Sequence, residues 1–463
     1  MKKTSLFFPP ASNTSASNIA IVTVPNAGHI KILIRLVKEA RKQDPNLSFT
    51  FILTSWTGYE IRDTDLEALK KASNNELIIL QSKNTANRKE DTFGRVRELL
   101  TDVVIACAHF ELIMYDFISP EGYLAAKILP GVRSICLEPS YIGSFDRSSA
   151  EYHDQLLASK DDIDAIEKDH RIHFRDELTL VSGTLSLLSS KNLVFSWEKF
   201  IRVGDFEKNS EEEKSSCYFM RPSPRSIPPL NKEFSYINSE KKVVYFSLGT
   251  IASGIVWDEV EGMENNYLHD FIRLLYKTIL AIFTHRSDLI LIISTGRPIR
   301  DVIGDMELPE NIHVYETVPQ ADLLYYVDLF ITHCGANSVN EAIDAETPMI
   351  GFPLMFDQPK CARAMGNSNL GPIFPPEKEE VYFGGANAYY RPPFYLDNIE
   401  NAQRIFEETI DKTLKQDYSE AFAHLKSAQT LYFKSFSELI KPEEKTLLQK
   451  QENYGDLRTG ISL

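Results

Sequence analysis

Short apolar runs alternate along this chain with segments whose apolar residues recur at helical spacing. The alternation is laid down twice, on either side of a stretch with four prolines at 221–230. Strand-like runs at 19–24, 49–53, 77–80, 112–115 and 132–137 are separated by helical patterns at 30–41, 66–72, 93–108 and 122–129. In the first of these helices Ile30, Leu33, Ile34 and Val37 share one face. After the prolines, strand patterns at 243–248, 289–294, 314–315 and 329–331 are interleaved with helical ones at 267–284 and 321–326. Strands that alternate with helices make parallel, doubly wound sheets. A proline-dense stretch can be neither helix nor central strand. The expected fold is therefore α/β with two Rossmann-like domains: a leader 1–17, a first domain 18–220, a linker 221–235, a second domain 236–417, a closing helix 418–440, and a polar tail 441–463. The segment 146–190 interrupts the first series with charged, helix-leaning sequence, and its run Asp161-Asp162-Ile163-Asp164 reads as a solvated helix face. Glu211 to Lys214 reads as an exposed loop.

The stretch 330–361 carries the most chemistry. A short apolar strand leads into a turn at His333-Cys334-Gly335 and then into a helix whose first turn is small and polar, Ala336-Asn337-Ser338. A second apolar run, Met349-Ile350-Gly351-Phe352, follows Pro348, and Asp357-Gln358 comes after it. The free N–H groups and positive dipole end of such a helix face whatever lies beyond the strands, which is where open parallel sheets bind ligands. Together with a histidine, that helix end makes a cationic pocket possible in a chain of net charge −15. A diphosphate needs N–H and hydroxyl donors, a ribose diol suits a carboxylate, and an Asp-Gln pair offers acceptors and donors to vicinal hydroxyls.

The stretch resembles the donor-binding signature of the family 1 UDP-sugar glycosyltransferases. The match runs through His333, Gly335, Asn337, Ser338, Glu341, Pro348, Met349, Pro353, Asp357 and Gln358, with the family's spacing throughout. The resemblance implies a GT-B architecture, two Rossmann-like domains facing across a cleft, with the helix 418–440 crossing back to the first domain. It implies that His333, Asn337 and Ser338 bind the diphosphate, Glu341 the ribose, and Asp357 and Gln358 the sugar. Phe246 to Thr250 resembles the turn that faces the donor phosphates, which adds Gly249 and Thr250. The segment Thr317-Val318-Pro319-Gln320 resembles a Trp-x-Pro-Gln segment and adds Gln320. The family's Trp stacks on uracil. Thr317 stands in its place and has no π-face, with Tyr315 a candidate to replace it.

Sugar transfer with inversion needs a base for the acceptor hydroxyl. His29 follows Gly28 at the end of the first strand pattern, where the family's base stands, and a histidine suits the task. Asp116 ends the strand pattern at 112–115 on the same sheet edge, and the resemblance implies a helper role there. His109 lies before that strand, at the wrong edge. No carboxylate motif for a divalent metal is present, so metal-independent transfer is expected, with no cofactor beyond the UDP-sugar co-substrate.

The expected acceptor is a small apolar molecule with a hydroxyl. The negative net charge argues against nucleic acid and anionic membrane surfaces. No stretch approaches the roughly 18 apolar residues of a membrane span. The five cysteines, scattered and without metal-ligand spacing, read as buried thiols of a reducing compartment, so a cytoplasmic location is expected. The segment 377–394, rich in Tyr, Gly and Pro, reads as a surface loop or an element over the cleft. Two other readings stay open: a non-catalytic nucleotide-sugar-binding scaffold, and a GT-B enzyme with another nucleotide donor.

Overall fold

The computed structural model describes residues 18–57, 61–74, 76–85, 92–223, 226–237, 240–249, 267–296, 307–354, 357–374, 399–427 and 431–441. Thr250, the leader, the segment 377–394 and nearly all of the tail lie outside them.

The first half is built on β1 (Asn18–Thr23), β2 (Ser48–Thr57), β3 (Leu77–Thr85), β4 (Leu112–Asp116) and β5 (Arg133–Glu138), joined by helices Ala27–Gln43, Asp63–Ala72, Thr92–Cys107 and Glu121–Ile128. After an excursion come β6 (Leu178–Val181), β7 (Thr184–Leu187), β8 (Asn192–Val194) and β9 (Cys217–Arg221). The second half carries β10 (Lys242–Ser247), β11 (Leu289–Ser294), β12 (Ile312–Tyr315), β13 (Leu329–Thr332) and β14 (Met349–Gly351), and the chain closes through β15 (Leu431–Tyr432). The strands form a parallel sheet in the order β15-β9-β8-β5-β4-β1-β2-β3 and a second in the order β12-β11-β10-β13-β14. In each, the chain leaves a central strand in both directions. That creates a switch point between β1 and β4 and another between β10 and β13, and ligand sites form at the carboxyl ends of such strands.

Burial explains the strand sequences. β4 is buried along its whole length and β1 beyond its first residue, as expected of parallel strands covered on both faces. The helix Ala27–Gln43 starts where Asn26 accepts a bond from the Gly28 N–H at 3.0 Å, and it ends with Arg41 and Lys42 in its last turn. Its buried face, including Ile30, Leu33, Leu36 and Val37, packs under β1 and β2. One apolar core runs from the first half into the second, joining Tyr141, Trp197 and Phe200 to Val339, Cys361 and Ala364. All five cysteines are buried and free. No helix of the described residues is long and apolar enough to cross a membrane.

Four segments depart from the sequence reading or add to it. Glu211–Ser215 is a short helix instead of a loop. Ser210 and Glu213 form a reciprocal capping box there, a signal present in the sequence as Ser-x-x-Glu. The segment 146–190 holds two helices, as its charge pattern implies, but ends in the antiparallel hairpin of β6 and β7. Gln358–Asn367 is a helix with a proline in its first turn. The expected closing helix is instead a helix Ser419–Lys426, the strand β15 and a short helix Phe436–Leu439. Pairing of Leu431 and Tyr432 with Met220 and Arg221 satisfies backbone groups that a helix would have kept to itself. Phe433 and Phe436 then bury their rings against Phe195 and Phe49.

Candidate active site

On the first sheet, the register that pairs Val22 with Tyr115 sets Thr23 beside Asp116. His29, one turn into the helix that follows β1, drops its ring onto that edge. Its Nδ1 lies 2.6 Å from Asp116 Oδ2, and both residues are buried. The same oxygen accepts from Thr23 Oγ1 at 3.1 Å, and Oδ1 accepts from the Ile118 N–H at 3.2 Å. With Nδ1–H donated to Asp116, the neutral ring presents Nε2 as an acceptor, and Ser140 Oγ lies 3.3 Å from it. Glu138, wholly buried at the end of β5, is pushed well above the usual carboxylate range by desolvation and by Asp116. The shift disfavours a second negative charge beside Asp116. His109 is on the opposite side of β4, against Phe110.

On the second sheet, Ser247 pairs with Thr332, so the turns after β10 and β13 meet. The His333 ring lies across both glycines of those turns. A Cβ at Gly249 would approach it to 2.6 Å and one at Gly335 to 2.4 Å, and Gly249 has φ +74°. Neither position tolerates a side chain. Cys334 itself takes a left-handed conformation at φ +62° to make the turn. Burial pushes His333 down to about 4, against a weaker opposing contact with the Ser247 backbone. In the free protein at neutral pH it is thus uncharged. The histidine therefore adds no positive charge to the pocket expected from the sequence, because desolvation outweighs the one contact that opposes it. His333 Nδ1 is buried without a hydrogen-bond partner among the described residues.

The helix Ala336–Ala345 begins at Gly335, which has no side chain to cap it, so its first N–H groups are left to other partners. Ser338 Oγ and Glu341 Oε2 accept from Gln320 Nε2 at 3.1 and 2.8 Å, and Gln320 Oε1 accepts from Tyr245 Oη at 3.1 Å. Desolvation raises Glu341 above its ordinary range, opposed by Gln320, Arg221 and Lys31. Thr317 is exposed. Tyr315 does not take over its place, since its ring packs on Phe234 at 5.3 Å and its hydroxyl meets that of Tyr236 at 3.0 Å.

The two edges are joined by the residues singled out in the sequence. Asn337 Nδ2 donates to the Gly28 carbonyl at 3.0 Å, next to His29. Asp357 Oδ2 accepts from the Tyr141 N–H at 2.7 Å. Desolvation raises Asp357, while Tyr141, His29 and Lys360 pull it back. Gln358 is buried and accepts from the Leu354 N–H at 2.9 Å.

Sequence reasoning did not find the anchor beneath this cleft. Asn340 Oδ1 accepts from Ser196 Oγ at 3.0 Å and from the Trp197 N–H at 3.3 Å. Asp344 accepts from Trp197 Nε1 at 3.1 Å and from Arg221 Nη2 at 2.5 Å. Ser140 and Tyr141 were missed as well. A polar or charged residue inside an apolar helix face, as Asn340 is, was the available signal.

A family model described as UDP-glucoronosyl and UDP-glucosyl transferase matches residues 224–371. NDP-glycosyltransferase YjiC of Bacillus licheniformis is 25% identical over 374 residues, which is 78% of this chain and 85% of that protein. Among solved structures, the glycotransferase of kitacinnamycin superposes with a TM-score of 0.60 at 17% identity, over 88% of this chain and 93% of the other. Spinosyn rhamnosyltransferase SpnG complexed with thymidine diphosphate superposes with a TM-score of 0.59 at 13% identity, over 92% and 100%. At these identities the structural likeness is one of fold.

Proposed function

We propose, for a chain that belongs to the family 1 UDP-glycosyltransferases and has the GT-B fold, that it moves a hexose, glucose foremost, from a UDP-sugar to a hydroxyl of a small apolar acceptor with inversion. His29 Nε2 takes the acceptor's proton while the acceptor oxygen attacks the anomeric carbon from the side opposite UDP. Asp116 holds the tautomer and stabilises the imidazolium that forms. The bond from the anomeric carbon to the phosphate oxygen breaks. The charge that develops on the diphosphate meets the first N–H groups of Ala336–Ala345, with His333 and Ser338 beside them. Glu341 and Gln320 take the ribose, and Asp357 the sugar. No divalent ion is needed in this reading.

The observation that carries the proposal is the bond from Asn337 to the Gly28 carbonyl. It joins the start of the diphosphate-binding helix to the residue next to the base. The test is UDP release from UDP-glucose with EDTA present, over phenolic, sterol and lipid alcohols, alongside His29→Ala and His333→Ala. Release that depends on acceptor, survives EDTA and is lost in both variants supports the reading, and NMR of the product's anomeric proton reports inversion. UDP binding without turnover of any donor would favour a scaffold.

A second reading rests on exposed Thr317, which offers the base no aromatic face. It has the enzyme accept thymidine-diphosphate sugars as readily as uridine ones, and SpnG, a structural neighbour, is complexed with thymidine diphosphate. Competition between UDP and TDP distinguishes the two.

A further inference from the structure

Beyond Glu138 the chain runs through Pro139 and Ser140 to Tyr141, which touches Asp357 of the second half. Tyr141 is held on several sides. Its N–H reaches Asp357 at 2.7 Å, and its carbonyl accepts from Ser182 Oγ at 2.5 Å. Its buried ring stands edge-on to Phe200 at 5.8 Å, so close to Gly204 that a Cβ there would lie 2.1 Å from the Tyr141 hydroxyl. Ser140 is one peptide unit away, which leaves its backbone little freedom. Its Oγ sits 3.3 Å from His29 Nε2, the one ring nitrogen that Asp116 does not engage. Because that nitrogen accepts, the serine O–H donates. This is the bond that an acceptor hydroxyl has to make with the base before transfer.

We infer that Ser140 is a positioning residue that occupies the acceptor oxygen's place on the base and keeps water out of it until an acceptor displaces the serine. The inference rests on His29 being the base, as proposed above. A water on Nε2, in line with the anomeric carbon of a bound donor, would hydrolyse the UDP-sugar. A serine oxygen tethered through Tyr141 to the sugar-facing carboxylate is too constrained to attack, yet it fills the position. Ser140 thereby sets the ratio of transfer to hydrolysis.

The experiment compares wild type, Ser140→Ala and Ser140→Thr with UDP-glucose, with and without a productive acceptor, and adds the double variant Ser140→Ala/His29→Ala. Ser140→Ala is expected to raise acceptor-free UDP release by about threefold to tenfold, the range one hydrogen bond of ordinary strength supports. Ser140→Thr keeps the hydroxyl and restores the wild-type rate, and the double variant loses the extra hydrolysis. A donor KM that rises in Ser140→Ala with unchanged acceptor-free release would overturn the inference, because the serine would then be a donor contact. Unchanged release and unchanged KM would overturn it too. If wild type transfers sugar while His29→Ala retains full activity, the base assignment fails and this inference falls with it. A result confined to Ser140 leaves the base assignment standing.

Discussion

Replacing Asp116 by Asn is expected to cost catalysis and spare the fold. The carboxylate accepts three bonds, from His29 Nδ1, Thr23 Oγ1 and the Ile118 N–H. An amide of the same shape has one acceptor and one donor side. If its oxygen faces His29, its NH2 meets the Ile118 N–H, donor against donor. If its NH2 faces His29, the ring must move its proton to Nε2, and the nitrogen that should accept becomes a donor. Losing a bond to a charged partner costs about 1.5–3 kcal/mol, or roughly 10- to 150-fold in rate at about 1.4 kcal/mol per decade. The wrong tautomer adds to this, and the same change in a hydrolytic triad costs about 10⁴ in kcat. The expected loss in acceptor-dependent kcat is therefore about 10²- to 10⁴-fold. UDP-glucose should bind as before, since Asp116 lies on the other sheet from the residues proposed to hold the donor. The assay is steady-state UDP release with titration calorimetry for UDP, on protein checked by urea unfolding. A variant that keeps kcat within about threefold, with binding and stability intact, would refute the pairing as the origin of base strength.

The anchor below the cleft yields a stability prediction. Asp344→Ala strands the buried Arg221 guanidinium and should cost about 3–5 kcal/mol in urea unfolding; a loss under about 1 kcal/mol would show that solvent reaches it. His333 yields a pH prediction. Its folded value of about 4 lies below the ordinary 6.5, so its contribution is complete above pH 6.5 and is lost as pH falls toward 4, by at most about 3 kcal/mol. Glu341 and Asp357 are shifted upward and act with the opposite sign, so the readout is wild type minus His333→Asn across that window, and a flat difference would refute it. Gly249→Ala places a methyl at φ +74° against the His333 ring and should cost about 1–2 kcal/mol in urea unfolding for the backbone alone; unchanged stability would show that the turn relaxes around the methyl.

What the sequence made legible was local or contiguous. Strand, turn and helix around His333 follow one another in the chain, so spacing alone set Asn337, Ser338 and Glu341 on the first turns of one helix. His29 and Asp116 were legible because both end apolar runs on the same sheet edge. The contacts that turn these residues into a site were not. Asn337 meets Gly28 and Asp357 meets Tyr141 only once two sheets dock, and nothing local encodes the docking. Arg221 reads as the first residue of a proline-rich linker, yet it is buried and paired with Asp344, because β9 continues one residue into that stretch. The closing segment misled for the same reason. Its periodicity is helical, but an open edge at β9 competed for its backbone and took Leu431 and Tyr432.

The contacts between the halves differ in kind along the interface, and the difference bears on how a substrate enters. At one end Asn340, Trp197 and Arg221 are buried beside an apolar core common to both halves, the last two bonded to the half-buried Asp344. Breaking such bonds leaves buried charge or buried polar atoms unpaired, so they open only with the interface as a whole. At the cleft the bonds from Asn337 to Gly28 and from Tyr141 to Asp357 are only partly buried. Each engages a group assigned to the donor in the proposed function. A nucleotide sugar therefore exchanges hydrogen bonds here instead of adding them, and each exchange is nearly neutral unless the incoming group is charged or better aligned. The diphosphate meets that condition against the helix end and the unpartnered His333 Nδ1. The sugar hydroxyls at Asp357 meet it only by geometry. Affinity should then follow the diphosphate, and discrimination among hexoses should show mainly in kcat, where a misaligned sugar leaves Tyr141 on Asp357 and Ser140 on the base.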